Sequence, residues 1–423
     1  MNVLVIGSGG REHAICRSFA KNAKVTKLFC ANGNAGIAEV AECVPVKPDD
    51  INGLVEFASQ NSIDLTFVGG ETSLALGVVD EFEKIGLKII GPNRVAAQLE
   101  SSKSFAKDFM ARHGIPTASY AVVHTPAIAI DVLESGDFGN ADSPVVVKAD
   151  GLAAGKGVVV ARSRPEAVAA VKGLENLVGA DAAQKLVLEE CLVGKEVSLL
   201  MFADGEDFAL MPPVRDHKRI GEGDTGPNTG GMGTFTDASL LTDAQLQEIT
   251  DTIIRPTLLG CIREGFRYRG ILFLGLMMTA DGPKLLEYNV RFGDPETQAI
   301  LVRLDTDFVD ICEAMLNGTL ASLAIKWHPG NSACIVLASK GYPSQPQTGD
   351  IIHGLDEAKA IADVEVFHAG TASGADGAFV TAGGRVLGVT STGDDMISAL
   401  TNAYAAVARI SWPGMQFRSD IGK

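Results

Sequence analysis

Short apolar strands alternating with helical stretches restrict the fold of the first hundred residues more than any other feature. Apolar runs at residues 3–6, 27–30, 64–68 and 87–90 are separated by segments of helical pattern. This alternation predicts βαβ units and therefore a doubly wound parallel sheet. Ligands of such sheets bind at the carboxyl ends of the strands, and glycine turns follow the strands that end at Ile6 and Val68.

The rest of the chain predicts further mixed α and β structure. Apolar runs of strand length occur at 145–148, 158–161, 185–190, 196–203, 270–278 and 284–288. Helical patterns occur at 101–113, 240–264 and 305–317. From Trp327 onward, short strands, glycine turns and a final helix at 396–410 predict a small α+β domain.

The charge of the chain argues against a general nucleic-acid-binding protein. Its 423 residues contain 36 lysines and arginines against 52 aspartates and glutamates, a formal net charge of −16. Such a surface repels a polyphosphate backbone, so a phosphate site must be built locally from specific cations and backbone N–H groups. We therefore expect small-molecule partners and no nucleic acid.

A cytoplasmic location is expected from the cysteines and the hydropathy pattern. The seven cysteines are scattered and form no C-x-x-C pair, which is typical of reduced thiols. The apolar run at 3–6 lacks a preceding basic segment, and no stretch approaches the ~20 apolar residues of a membrane span. Neither secretion nor a membrane partner is expected.

The first candidate site is the turn that follows the first strand, Gly7-Ser8-Gly9-Gly10-Arg11-Glu12-His13. Unpaired N–H groups and the helix dipole at such a turn attract an anion, and Arg11 can hold a phosphate through two hydrogen bonds. Glu12 occupies the third glycine position of a dinucleotide fingerprint, which disfavours a nicotinamide cofactor and hence a dehydrogenase. A tight turn without a ligand is an equally good interpretation of this feature alone.

The second candidate is the run Lys148-Ala-Asp-Gly-Leu-Ala-Ala-Gly-Lys-Gly157 between two predicted strands. It is not a P-loop, because Gly157 replaces the hydroxyl residue that would bind magnesium. A glycine hairpin can fold over a triphosphate and offer backbone donors, and Lys148 is then a natural partner for phosphate charge. The alternative, a solvated lysine in a mobile turn, is disfavoured by the three valines before it.

The third candidate is a charged run after the strand at 284–288. Glu287 and Asn289 face the same side of that strand and offer hard oxygen ligands, which suit magnesium together with substrate phosphates. Arg291 continues this face toward phosphate, and Asp294 and Glu296 follow it. A plain charged strand end is the less favoured interpretation.

Two further segments are more ambiguous. Glu189 and Glu190 end an apolar strand, and from the residues alone an exposed edge is favoured over an adenine-reading hinge in which Glu196 holds ribose hydroxyls. Residues 212–235 are polar, glycine-rich and without periodicity, which predicts a long loop. Its Asp216 and Asn228 favour a functional loop over a disordered one.

These motifs resemble the ATP-grasp superfamily, whose members clamp ATP between two α+β lobes and form acyl phosphates, and within it the phosphoribosylamine–glycine ligase family of purine biosynthesis. The resemblance runs end to end. The runs Gly-Pro-Asn-Thr-Gly-Gly-Met-Gly at 226–233 and Arg-Phe-Gly-Asp-Pro-Glu-Thr-Gln at 291–298 carry it most specifically. It implies an N-terminal α/β domain at 1–100, a two-lobed ATP-grasp domain at 101–326 with a mobile lobe at about 120–188, and a C-terminal α+β domain at 327–423.

The resemblance also implies roles for individual residues. ATP would be bound by Lys103, Lys148, Gly151, Gly155, Lys156, Gly157, Glu189, Glu190, Leu192 and Glu196. The metal, Mg²⁺ or Mn²⁺, would be bound by Glu287 and Asn289. Glycine and phosphoribosylamine would be bound by Gly9, Gly10, Arg11, Glu71, Asp216, Pro227, Asn228, Arg291, Asp294 and Pro295. The catalytic residues would be Lys148, Arg291, Asp294 and Glu296.

The implied reaction needs no covalent enzyme nucleophile. ATP phosphorylates the carboxylate of glycine, and the amine of phosphoribosylamine then displaces phosphate; a monomer is expected. One departure from the family pattern is visible: Gly69-Gly70-Glu71-Thr72-Ser73-Leu74 stands where the family usually has Gly-Pro-Glu-x-Pro-Leu. Without both prolines we expect a less rigid loop and an effect on substrate affinity.

Two other interpretations stay open at this point. Another ATP-grasp ligase, such as a carboxylase of purine metabolism or a peptide-type ligase, would share the ATP half but differ at Asn228, Asp294 and Glu296. A nucleotide-binding regulatory protein without catalysis is disfavoured by Glu287, Asn289 and Arg291.

Overall fold

The first hundred residues form a five-stranded parallel sheet in the computed structural model, which describes residues 1–151, 157–179 and 184–423. The strand order is β3-β2-β1-β4-β5, with strands β1 Asn2–Gly7, β2 Lys27–Asn32, β3 Glu42–Val44, β4 Leu65–Val68 and β5 Ile89–Ile90. The helices that accompany it are Gly10–Ala20, Ile51–Gln60, Glu71–Ala75, Val78–Lys84 and Arg94–Ser101.

Strand β1 is apolar from Val3 to Ile6 because both of its faces are covered. Leu4 and Ile6 belong to one hydrophobic core and Val3 and Val5 to another, and all four side chains are fully buried. β1 pairs in parallel with both β2 and β4. The predicted parallel sheet is confirmed, and the glycine turns after β1 and β4 lie side by side at its carboxyl edge.

A small antiparallel sheet forms a separate lobe. Its order is β6-β9-β7-β8, with strands β6 Tyr120–Val123, β7 Val145–Ala149, β8 Val158–Ala161 and β9 Leu186–Glu190. The helices Pro126–Glu134 and Arg164–Val178 accompany it. The lobe has its own core, which includes Val145, Val147 and Leu188. β7 and β8 are the predicted strands on either side of the glycine run.

A larger antiparallel sheet joins the middle of the chain to its C-terminal part. The order is β17-β16-β10-β12-β15-β18-β22-β19, and β11 also pairs with β10. The strands are β10 Lys195–Asp204, β11 Phe208–Leu210, β12 Val214–Asp216, β15 Gly233–Thr236, β16 Arg269–Thr279, β17 Gly282–Asn289, β18 Asn331–Ala338, β19 Val364–His368 and β22 Arg385–Gly393. β15 pairs with β18, so the sheet runs across the expected boundary at residues 326/327.

The predicted loop at 212–235 is wrong. This segment contains four short strands, because β13 Arg219–Gly221 and β14 Thr225–Asn228 form a hairpin between β12 and β15. The segment shows no apolar alternation because its strands are only three or four residues long and carry polar side chains. Thr234, for example, is fully buried, and its hydroxyl donates to the carbonyl of Pro295 at 3.3 Å.

Helix boundaries differ from the sequence patterns for local reasons. The predicted helix at 101–113 begins two residues later as Lys103–Arg112, because Ser102 is extended and its hydroxyl accepts from the N–H of Phe105. The predicted helix at 240–264 is two helices, Asp243–Ile249 and Arg255–Arg263, joined by a π turn at Thr250–Ile254. The proline in the second helix's first turn removes a backbone donor there.

Four more helices complete the described part of the chain: Glu296–Leu301, Phe308–Asn317, Leu355–Lys359 and Met396–Val407. The two strands not yet placed, β20 Thr371–Ser373 and β21 Phe379–Thr381, pair with each other. No helix among the described residues is long and apolar enough to cross a membrane.

Candidate active site

The carboxylate of Glu12 fills the glycine turn after β1. Glu12 is 2% exposed, and its Oε2 accepts from the N–H of Gly9 at 2.6 Å. A Cβ on Gly7 would lie 2.6 Å from Glu12 Cγ, so the bare glycine makes room for this side chain. Glu12 thus takes the position at which the dinucleotide fingerprint needs a glycine for close helix–strand packing, which argues against the dehydrogenase interpretation.

Arg11 turns from this loop toward the run at 291–298. Its Nε lies 2.7 Å from Glu12 Oε1, its Nη1 donates to the carbonyl of Phe292 at 3.1 Å, and its Nη2 lies 3.5 Å from Glu71 Oε2. Burial opposes the charge, but Glu12 and Glu71 keep the pKa of Arg11 above its usual range. The predicted phosphate ligand is therefore already held by two carboxylates.

Glu71 lies between two arginines. Its Oε2 is 3.5 Å from Arg11 Nη2 and 3.3 Å from Arg291 Nε. Burial raises the pKa of Glu71, but the two guanidinium groups outweigh burial and lower it to about 2. Despite the two absent prolines, residues Glu71–Ala75 form a helix, in which the Ser73 hydroxyl donates to Pro48 O at 2.5 Å.

The acidic run after β17 is fixed by its phenylalanine. Phe292 is fully buried, and its ring stacks on that of Phe67 in β4 with centroids 5.9 Å apart. This contact holds the run against the N-terminal sheet. A Cβ on Gly9 would lie 3.1 Å from Asp294 Oδ2, so the glycine turn and the acidic run form one site.

Two residues that the sequence analysis did not select also contact the acidic run at 291–298. Glu100 is nearly buried and pairs with Arg291 Nη2 at 2.8 Å, while its other oxygen accepts from Val290 N at 2.7 Å. Arg385, in β22, donates from Nη1 to the carbonyl of Asp294 at 2.6 Å, and its Nη2 lies 3.6 Å from Asp294 Oδ2. Neither residue belongs to a recognisable motif; an acid near the end of an amphipathic helix was the only signal for Glu100.

A second acidic pair lies in the interior. Burial, and then the charge of Glu296, raise the pKa of Asp216 well above its usual value, while Lys218 and Arg385 partly oppose this. Burial likewise raises the pKa of Glu296, which is 5% exposed. Asp216 Oδ1 is buried and has no hydrogen-bond partner among the described residues. A bare Gly231, at φ +110°, lets Asp216 and Pro295 approach each other.

Four cations surround Glu287 on β17. Burial raises the pKa of Glu287, but Lys218, Lys148, Lys103 and Arg291 together hold it below its usual value. Asn289, two residues further on the same strand, accepts from Arg291 Nη2 at 3.2 Å. One ionised carboxylate and one amide amid four cations fit a divalent metal that arrives with a polyphosphate, because magnesium keeps few protein ligands and shares substrate oxygens.

The paired glutamates of β9 have different environments. Glu190 is exposed, as the favoured interpretation required, but Glu189 is 2% exposed. The carboxylate of Glu189 lies 3.0 Å from Lys107 Nζ and 2.8 Å from Lys148 Nζ. The exposed-edge interpretation is therefore wrong for Glu189, because two buried ammonium groups compensate its charge.

The remaining predicted residues surround this centre or lie outside the described chain. Lys103 Nζ donates to the carbonyl of Gly151 at 2.7 Å, at one end of the glycine run, and Gly157 O accepts from Ala149 N at its other end. Gly155 and Lys156 are not among the described residues. Leu192 follows β9 and is partly exposed, Glu196 pairs with Lys218 at 3.2 Å, and Pro227 and Asn228 lie on exposed β14.

A small antiparallel lobe carrying Lys148 faces a larger sheet carrying Glu287 and Asn289, and a parallel domain adds a glycine turn on the far side. This fold and site define an enzyme of the ATP-grasp class. Residues 1–100 match the N domain of phosphoribosylglycinamide synthetase, residues 101–297 its ATP-grasp (A) domain and residues 332–423 its C domain. The chain belongs to this family.

Relatives of full length support the assignment. A phosphoribosylamine–glycine ligase of Xanthomonas campestris is 49% identical over all of this chain and 97% of its own length. A protein of the same name from Caldanaerobacter subterraneus is 45% identical over all of this chain and 99% of its own. The crystal structure of the Thermotoga maritima phosphoribosylamine–glycine ligase matches with a TM-score of 0.85 at 33% identity, over 100% of both chains.

More distant solved structures share the fold alone. The biotin carboxylase domain of a Hydrogenobacter thermophilus 2-oxoglutarate carboxylase, determined with magnesium ADP and bicarbonate, matches with a TM-score of 0.74 at 16% identity, over 98% of this chain and 91% of that one. This likeness supports the two-lobed architecture.

Proposed function

We propose that this chain joins glycine to phosphoribosylamine with ATP, by way of a glycyl phosphate, and releases ADP and phosphate. The carbon–nitrogen ligase activity follows from the family and its full-length relatives. The observation that carries the site assignment is the position of Arg291. Its guanidinium contacts Asn289 of the candidate metal pair and Glu71 beside the glycine turn, at 3.2 and 3.3 Å. The residues proposed to bind ATP (the nucleotide half) and those proposed to bind glycine and phosphoribosylamine (the acceptor half) therefore meet at the side chain of Arg291.

The nucleotide half is the group of cations around Glu287. Lys103 and Lys148 neutralise the phosphates of ATP, and the glycine run covers them. Mg²⁺ or Mn²⁺, held by Glu287 and Asn289, would add positive charge to the β- and γ-phosphates when it is bound. Backbone groups of the segment from Glu189 to Leu192 receive the adenine, whereas the buried carboxylate of Glu189 stays with its two lysines. Glu196 receives the ribose.

The acceptor half is built from buried acids and arginines. Asp216 Oδ1, which has no hydrogen-bond partner among the described residues, suits the ammonium group of glycine, because a cation there favours the ionised form of the buried carboxyl. The glycine turn with Gly9, Gly10 and Arg11 receives the phosphate of phosphoribosylamine, and Arg385 adds positive charge beside it. Asn228, Pro227, Asp294 and Pro295 border the sugar and glycine.

Two chemical steps follow. A carboxylate oxygen of glycine attacks the γ-phosphorus, the bond to the β-phosphate oxygen breaks, and Arg291 offsets charge on the transferring group. The amine of phosphoribosylamine then attacks the acyl carbon, phosphate leaves, and the nitrogen loses a proton. Glu296 accepts that proton, since its raised pKa brings a carboxylate closer to the working pH of a base.

The direct test is ADP release from purified protein with magnesium ATP, glycine and freshly generated phosphoribosylamine. We expect ADP only when both acceptor substrates are present. ADP formed with another carboxylate or amine would keep the ATP-grasp class and reject the substrates, and no ADP with any pairing would favour a binding protein. With glycine labelled by ¹⁸O in both carboxylate oxygens, one label must appear in the released phosphate; unlabelled phosphate would reject the glycyl phosphate.

We also propose the division of the chain into domains at 1–100, 101–326 and 327–423, with the lobe at about 120–188 closing over ATP. The enzyme is proposed to act as a cytoplasmic monomer. Sedimentation of the purified protein, with and without substrates, tests the monomer.

A further inference from the structure

Lys107 has no part in the scheme above, yet its ammonium group is buried close to the nucleotide half. It lies one helical turn after Lys103 in the helix Lys103–Arg112 and is 2% exposed. Its Nζ donates to the hydroxyl of Thr117 at 2.7 Å and lies 3.0 Å from Glu189 Oε2. A lysine is rarely buried to this degree unless a carboxylate compensates its charge.

Glu189 is shared between two lysines. One oxygen faces Lys107, and the other lies 2.8 Å from Lys148 Nζ. The contact with Lys148 is an ion pair without the alignment of a hydrogen bond, since Glu189 Oε1 has no hydrogen-bond partner among the described residues. Lys148 also donates to the carbonyl of Leu286 at 3.4 Å. The single negative charge of Glu189 is thus divided between two ammonium groups.

The buried charges of Lys107, Glu189 and Lys148 together determine how much net positive charge faces a phosphate bound at Lys148. Two ammonium groups and one carboxylate leave a net charge of one positive unit. With Lys107 absent, Glu189 would neutralise Lys148 alone, and the group would present no net charge to the nucleotide. Because the group is almost inaccessible to water, this difference is poorly screened.

We propose that Lys107 is a positioning residue for ATP binding: it occupies one oxygen of Glu189 and so leaves the positive charge of Lys148 available to the nucleotide phosphates. The inference rests on the proposed function, because it assumes that Lys148 contacts ATP. Lys107 itself touches no substrate.

A purely structural role for Lys107 makes a different prediction. Thr117, which accepts from Lys107, donates to the carbonyl of Leu285 in β17 at 2.6 Å, while Glu189 belongs to the small lobe. Lys107 could therefore serve only to fasten the lobe to the larger sheet. In that case, removing Glu189 as well as Lys107 would weaken the attachment of the lobe further. In the electrostatic role, removing both charges instead restores the net positive charge at Lys148.

The test compares Lys107→Met with the double variant Lys107→Met/Glu189→Gln. The single variant should raise the KM for ATP about tenfold, the effect of losing a charged interaction of modest strength, with a much smaller change in the KM for glycine. The double variant restores the net positive charge at Lys148 and should return the KM for ATP to within about threefold of the parent. Lys107→Arg keeps the charge and should behave as the parent does.

The outcomes separate the hypotheses. A double variant with a KM for ATP as high as that of Lys107→Met, or higher, would overturn the positioning role, and so would an unchanged KM in the single variant. If Lys107→Met fails to fold, as judged by circular dichroism, the double variant decides: a near-parental KM supports the proposal and a raised one rejects it. A parent protein that releases no ADP under any substrate pairing would instead reject the proposed function.

Discussion

The carboxylate of Glu71 and the guanidinium of Arg291 lie 3.3 Å apart, although one begins the helix after β4 of the N-terminal sheet and the other follows β17 of the large sheet. Arg11 approaches the same carboxylate oxygen from the glycine turn at 3.5 Å. Glu71 therefore ties together the two elements that frame the acceptor half of the site, and its charge state should affect both stability and catalysis.

Replacing Glu71 with glutamine should destabilise the protein in a pH-dependent way. Because the pKa of the folded carboxyl is lowered to about 2, its ion pairs contribute fully above the unfolded value of ~4.3 and are lost as the pH falls toward 2. The difference between parent and variant in free energy of unfolding, measured by urea titration, should shrink between pH 5 and the lowest accessible pH. The exposed Glu357→Gln is the control; a pH-independent difference for Glu71→Gln would contradict the assignment.

Asp216→Asn should impair glycine binding selectively. The free carboxylate oxygen is proposed to hold the ammonium group, so we expect the KM for glycine to rise about tenfold or more, while the KM for ATP changes little. Steady-state ADP release, measured once at varied glycine and once at varied ATP, gives the two constants. Asp243→Asn, on an exposed helix start, is the matched control. Equal rises in both constants would point to a general distortion of the site.

Arg385 should matter for phosphoribosylamine although it lies in the C-terminal part of the chain. Arg385→Met removes a cation beside Asp294 and should raise the KM for phosphoribosylamine about tenfold. Arg385→Lys retains the charge but not both contacts. Its KM for phosphoribosylamine should therefore lie between those of the parent and Arg385→Met. An Arg385→Met enzyme with parental kinetics would remove this residue from the substrate site.

Glu287→Gln should shift the metal requirement. With the carboxylate gone, only the amide of Asn289 remains of the candidate pair, so the Mg²⁺ concentration that supports half-maximal ADP release should increase at least about tenfold. Chelation by EDTA should abolish activity in both proteins. Glu248→Gln, an exposed acid, controls for charge. An unchanged magnesium dependence would exclude Glu287 as a metal ligand.

Arg418 fastens the chain end to the β13–β14 hairpin and is 1% exposed. It donates from Nη1 to Asp224 Oδ1 at 2.7 Å and to the carbonyl of Arg219 at 3.1 Å. Arg418→Leu should lower the free energy of unfolding by on the order of 2–3 kcal/mol, because it leaves these partners unpaired. The exposed Arg409→Leu should change it little. Chemical denaturation of the two variants makes the comparison.

The sequence by itself determined the parts of this protein whose signal is local. The parallel sheet is visible because each of its long strands is a continuous apolar run, and a strand covered on both faces requires that. Lys148 and Glu287 stand out for a similar reason: each charged residue lies at the end of an apolar strand next to a distinctive loop, and the family resemblance supplied their roles.

Only the tertiary structure decided the partnerships between residues far apart in the chain. Glu189 is buried because Lys107 and Lys148 come from a helix and a strand that no local pattern links to it. Two of the short strands of residues 212–235, β12 and β15, exist because β10 and β18 pair with them. Local sequence records apolar periodicity and turn chemistry, but the compensation of a buried charge depends on which distant groups the fold brings within about 3 Å, and that information resides in the packed chain.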